Sequence, residues 1–178
     1  TACASSLEDF QNKLATVFGG IGFPVELTEI FPTIELRVFA PQELLTLGDW
    51  RIDTCELNHP GQAFGYRVGH TELAGRLCYL MDHEHGSVRD PNLIAFAAHT
   101  DLIIYDAAYA NANYPEHLGY GHSTIEKGQR FRVEAQASRI ALMGHSMERM
   151  DQDKDQIEAR LDPDTEILAH DGLLIPIA

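Results

Sequence analysis

At 178 residues and 44% hydrophobic content, the chain has the size and composition of one globular domain with a real core. Its formal charge of −14, from 27 acidic against 13 basic residues, argues against a free-standing nucleic-acid binder, which needs Lys and Arg to neutralise phosphates. No run approaches the roughly 18 apolar residues of a membrane helix, and residues 1–6 lack the basic start and apolar stretch of a signal peptide. Cys3, Cys55 and Cys78 are odd in number and have no CxxC spacing. They read as reduced, buried thiols of a cytoplasmic protein, not as a disulfide framework or zinc finger.

Ser5-Ser6-Leu7-Glu8 has capping-box spacing, and Leu7, Phe10, Leu14 and Val17 follow at helical intervals, so a helix is expected over 6–18. Residues 19–24, rich in Gly and closed by Pro24, end it. Ile34 to Phe39 alternates as a strand does. Trp50 to Leu57 alternates without a break and is a half-buried strand ending at Asn58-His59. Residues 63–68 and 76–82 supply two more strands, which with short connections make an antiparallel meander. Pro91 then opens a short helix to Ala98. Leu102 to Tyr105 is wholly apolar, as a strand buried on both faces is. Ser123-Thr124-Ile125-Glu126 is a second capping box, starting a helix to about Ala137. Ile140 to Met143 is another buried strand, Asp151 to Arg160 a polar helix, and Leu173 to Ile177 an edge-like strand, since Pro176 cannot serve a central ladder. The whole is a mixed-sheet α/β layer domain, expected to be single over 1–178.

Four strand ends carry groups with chemistry. His59 sits in an Asn-His-Pro-Gly turn, either bonding its own backbone or held rigidly as a metal ligand. Asp82 ends an apolar strand, where a carboxylate must be solvated or paired. It caps the next turn or bridges metals, and His85 is a candidate for an outer-shell partner. Asp106 ends the next apolar run. His122 precedes a helix start, where a neutral imidazole beside exposed backbone N–H groups suits a phosphate or oxyanion; otherwise it is a surface histidine in a capping loop. His145 follows another strand end. His70, His99, His117 and His170 show no partner pattern and read as structural or surface residues. No GxSxG elbow, P-loop or GxGxxG occurs, so hydrolysis by metal-activated water is the chemistry that remains, with His and carboxylate ligands for Zn²⁺ or Mn²⁺.

Five segments in order resemble the metallo-β-lactamase-fold hydrolases, and within them the branch of ribonuclease Z and small cyclic-phosphate phosphodiesterases. They are residues 57–67 (Leu-Asn-His-Pro-Gly to Phe-Gly-Tyr-Arg), 79–85 (Tyr-Leu-Met-Asp-His-Glu-His), 101–109 (Asp-Leu-Ile-Ile-Tyr-Asp-Ala-Ala-Tyr), 121–124 (Gly-His-Ser-Thr) and 140–145. The resemblance implies an αββα-type layered sandwich and a two-metal site, most simply of Zn, with Mn or Fe as alternatives. It implies that His59 is a metal ligand, that Asp82 bridges the metals, that His122 assists at the phosphate or leaving group, and that Asp106 orients it. The family's His-x-His-x-Asp-His motif does not occur in these 178 residues, and Gly144 takes the place of the last ligand, which a one-residue slip would pass to His145. Two expectations follow. The chain is the C-terminal part of a longer hydrolase acting on a small phosphodiester or related ester, or it is a degenerate, metal-free ligand-binding or regulatory module. The partner expected is a small-molecule substrate, with no nucleic acid and no membrane; homo-oligomerisation is possible.

Overall fold

A computed structural model describes residues 6–20, 23–40 and 42–177. The chain divides into two compact units, residues 1–43 and 44–178.

The first unit holds helix α1 (Leu7–Val17) and a single turn, α2 (Leu27–Ile30). Ser6 caps α1 by accepting the Asp9 amide at 3.0 Å, so the working cap is one residue later than the Ser5–Glu8 spacing suggests. Ser5 and Cys3 lie outside the described residues. The expected strand over Ile34 to Phe39 does not form, and only an isolated bridge residue marks the segment. Its alternation was a pattern without a neighbouring ladder to join.

The second unit is a seven-stranded sheet whose strands lie in chain order: β1 (Leu44–Leu47), β2 (Trp50–Glu56), β3 (Phe64–His70), β4 (Arg76–Leu80), β5 (Leu102–Asp106), β6 (Arg139–Met143) and β7 (Glu166–Leu168). β1 to β4 form an antiparallel meander, and β4 to β7 run parallel. The helices are α3 (Asp90–Phe96), α4 (Ile125–Glu134) and α5 (Asp151–Glu158), with a 3-10 turn at Tyr114–His117. The mixed α/β sheet is the architecture expected.

Three details differ. β1 pairs with β2 although no strand was expected at Leu44–Leu47. The last strand is Glu166–Leu168, whereas Leu173 to Ile177 has no regular structure. Only three residues were needed to extend β6 along Ile140 to Leu142, too few to show a period. Finally, α4 is capped by Thr124, whose hydroxyl accepts the Lys127 amide at 3.2 Å, and not by Ser123.

One face of the sheet packs on the helices. Cys78 and Leu80 of β4, Ile103 and Tyr105 of β5, and Ile140 and Leu142 of β6 alternate onto that face, and join Leu93 and Ala97 from α3 and its C-terminal end and Phe131 of α4 in one core. Each such Leu or Ile contributes about 2 kcal/mol. Gly128 lets α4 come close: a Cβ there would stand 2.6 Å from Leu142 Cδ2. Burial pushes the thiol of Cys55 up to about 12 and that of Cys78 higher still, so both stay protonated.

Direction matters for function. β2 runs antiparallel to β3, and β3 to β4, so β2, β4, β5 and β6 all end at the same side of the sheet. The turns that follow these four strands therefore meet.

Candidate metal and acid–base site

His59 follows β2, Asp82 follows β4 and His122 precedes α4. One donor atom from each lies within 4.8 Å of the others. The chain reaches this arrangement through unusual backbone. Asp82 adopts φ +61, a left-handed conformation that Asp tolerates better than bulkier residues. Its side chain is 57% exposed, with Oδ1 3.9 Å from His122 Nδ1, so the carboxylate is open to solvent on the His122 side of the site.

Asp106, at the end of β5, is fully buried and organises the group. Its Oδ2 accepts His122 Nδ1–H at 2.6 Å and the Asp82 amide at 3.0 Å. Its Oδ1 accepts the amides of Ala108 (3.2 Å) and Ser123 (3.3 Å). Burial raises the Asp106 pKa, and the bond and charge of His122 work against that rise. A carboxylate at Nδ1 fixes the His122 tautomer and leaves the Nε2 lone pair free. His59 is held differently. Its Nδ1 accepts the Gly61 amide at 3.1 Å, which puts the proton of the neutral ring on Nε2.

Glu84 was not singled out by the sequence, because nothing local distinguishes a buried acid from an exposed one. It is 6% exposed, and its carboxylate accepts the Tyr114 hydroxyl (2.8 Å) and the amides of Gly119 (2.7 Å) and Gly121 (2.9 Å). Burial pushes its pKa up, but these three bonds outweigh it and the net shift is down. The loop ending at His122 is thereby tied to the end of β4. Ser123 makes a second tie, donating to the His83 carbonyl oxygen at 2.5 Å and accepting the His85 amide at 3.1 Å.

His145 stands apart from this group. Its Nε2 bonds the Ala169 carbonyl oxygen at 3.1 Å, and its Nδ1 takes Arg149 Nη1 at 2.7 Å. A carbonyl only accepts, so Nε2 carries the proton and Nδ1 is the acceptor; both ring nitrogens are engaged. Arg149 also donates to the carbonyls of Ala107 and Ala108, each at 3.0 Å, bracing the turn after Asp106. Gly144 brings no side chain to the site.

His83 and His85 lie behind Asp82. The His85 ring packs on Tyr114, with centroids 4.4 Å apart. His83 is wholly buried, accepts the Asn58 amide at Nδ1 (3.3 Å), and has Asp90 Oδ1 3.6 Å from Nε2. Burial is the largest cause that lowers its pKa, to about 4, with Asp90 opposing. The unfolded chain, at about 6.5, therefore binds this proton more tightly than the folded one. Stability from His83 is complete above about 6.5 and is lost as pH falls through about 4, a change of about 3 kcal/mol. Urea unfolding measured between pH 4 and 7 should show this loss, and His83→Gln should flatten it. An equally steep loss in the variant would refute the assignment.

No family model matches this sequence, and no curated protein does. Solved structures do. A diphosphatase of the PhnP family superposes with a TM-score of 0.64 at 18% identity, over 97% of this chain and 55% of that one. The short form of human tRNase Z matches with a TM-score of 0.59 at 23% identity, over 75% of this chain and 46% of that one. The metallo-β-lactamase fold protein YhfI from Bacillus subtilis matches with a TM-score of 0.57 at 16% identity, over 79% and 58%. The chain thus has the metallo-β-lactamase fold, and it spans about half the length of these structures. Among the described residues no helix is long and apolar enough to cross a membrane.

Proposed function

We propose that this chain forms part of a metal-dependent hydrolase acting on a small phosphodiester or related ester, with His59, Asp82 and His122 as its metal-binding or acid–base groups. The observation that carries the reading is that one donor atom from each lies within 4.8 Å of the others, with His122 held by the buried Asp106. One carboxylate oxygen and two imidazole nitrogens are a donor set suited to Zn²⁺, Mn²⁺ or Fe²⁺. The fit is direct for Asp82 and for His122, whose Nε2 is free. His59 exchanges its Gly61 bond when it coordinates through Nε2. A divalent ion held there would supply a water acidified for attack and charge for the developing oxyanion.

The protein's own groups do the rest. Asp106 holds His122 in one tautomer with Nε2 as the acceptor, so that this single lone pair serves either as a ligand to the ion or, in its place, as the base that takes a proton and returns it to a leaving oxygen. His59 and His122 face each other edge to face with ring centroids 5.8 Å apart, which bounds the space for substrate. The charge of −14 favours a small substrate over a polyanion, and the similarity to a diphosphatase and a tRNase Z supports phosphoester chemistry.

The engagement of His145 with Arg149 and Ala169 favours a second reading, a ligand-binding module on the same fold. Zinc titration of the whole chain, followed through the Gly61 amide and the His59 and His122 ring ¹⁵N resonances, separates the two. The hydrolase reading expects all three to shift with saturable binding, and Asp82→Ala to weaken that binding. Unmoved resonances at excess zinc would leave the metal-free module.

A further inference from the structure

The opposite ends of the same strands carry a second feature. Arg51 at the start of β2, Arg67 and His70 in β3, and Arg76 at the start of β4 line a hollow of about 250 Å³ together with Asp53 and Gly69. The one carboxylate in its wall is already taken. Asp53 Oδ2 accepts Arg67 Nε at 3.0 Å and Nη2 at 2.8 Å, while Arg67 Nη1 donates to the Phe96 carbonyl oxygen at 3.2 Å. Among the described residues, the guanidinium groups of Arg51 and Arg76 make no hydrogen bond and no ion pair. His70 is paired with Trp50 on the other face of β3, where its ring packs edge to face on the indole with centroids 4.8 Å apart, so it meets the hollow only at its edge.

The wall therefore offers donors and positive charge, and its only acid is spent on Arg67. Like charges gathered in one hollow repel unless an anion joins them. The gathering is also uneven, since three of the 13 basic residues stand together on a chain of charge −14. Two guanidinium forks bring two positive charges and two bidentate donor edges, which a phosphate, with more than one negative charge and several oxygen pairs, matches better than a carboxylate with its single charge and single pair.

We propose that this hollow binds a small, multiply charged oxyanion of the phosphate class, at a site separate from His59, Asp82 and His122. The two sites lie at opposite ends of β4, five residues long, which at about 3.3 Å per residue separates them by more than roughly 15 Å. The hollow does not depend on the hydrolase reading.

Calorimetric titration of inorganic phosphate into the whole chain, in EDTA and at low ionic strength, tests it. Wild type should bind phosphate more tightly than acetate. Arg51→Ala/Arg76→Ala should weaken phosphate binding by about tenfold or more, with circular dichroism unchanged. Asp82→Ala should bind phosphate as wild type does. The single variants Arg51→Gln and Arg76→Gln carry the same expectation at smaller size, should the double variant unfold. Undiminished affinity in the arginine variants, no phosphate binding by wild type, or loss of binding on Asp82→Ala would each overturn the proposal.

Discussion

Gly121→Ala is expected to dismantle the His59–Asp82–His122 group while leaving the sheet intact. Gly121 has φ +89, where an L side chain is strained by about 1–3 kcal/mol. More telling is where the new Cβ would go. It would collide with His59 Cδ2, stand 2.7 Å from His59 Nε2 and 2.9 Å from Pro60 Cδ. The loop cannot retreat freely, because the Gly121 amide is bonded to Glu84 and His122 to Asp106. His59 must therefore swing away, taking one of three donors with it. On the metal-binding reading proposed above, zinc affinity should fall about 100-fold or more, by the scale of lost ligand support. The urea midpoint should drop only modestly, since the core residues are untouched. Wild-type zinc affinity in this variant would remove His59 from the site.

Asp106 separates a structural from a chemical role through two substitutions. Asp106→Ala leaves four donors without an acceptor in a fully buried place: the ring N–H of His122 and the amides of Asp82, Ala108 and Ser123. Such a loss costs about 3–5 kcal/mol. Asp106→Asn keeps the shape and some of the acceptors, but removes the charge that holds His122 Nδ1–H. The fold should survive nearly unchanged, and on the hydrolase reading proposed above the hydrolysis of a model phosphodiester should fall by about 10²–10⁴. Denaturation curves and turnover measured on the same two proteins decide the matter. If Asp106→Asn hydrolyses at the wild-type rate, His122 needs no orienting carboxylate.

Much of the architecture was legible because the second unit obeys simple patterns. Trp50 to Leu57 alternates, Leu102 to Tyr105 and Ile140 to Met143 are continuously apolar, and the structure has β2, β5 and β6 there. Short elements were not legible. β1 and β7 have four and three residues, and their identity comes from the strands beside them. In the site, strand-end positions pointed to His59, Asp82 and Asp106, and the helix start at residues 123–126 pointed to His122. The sequence could not show that His145 would be turned onto Arg149, four residues on, because that depends on which way a loop folds. Nor could it show Gly121 as the cradle of His59, because the two are brought together only by the tertiary fold.

The Glu84 carboxylate has a consequence for how the site comes into being. It joins the end of β4 to amides 35 and 37 residues further along the chain, with β5 between them. Closing a loop of that length costs entropy before any contact repays it. The tether is therefore expected to close only once β5 has docked on β4, which would make the site one of the later parts of the sheet's end to order. The same tether should slow solvent exchange of the Gly119 and Gly121 amides relative to other loop amides, although neither lies in regular structure.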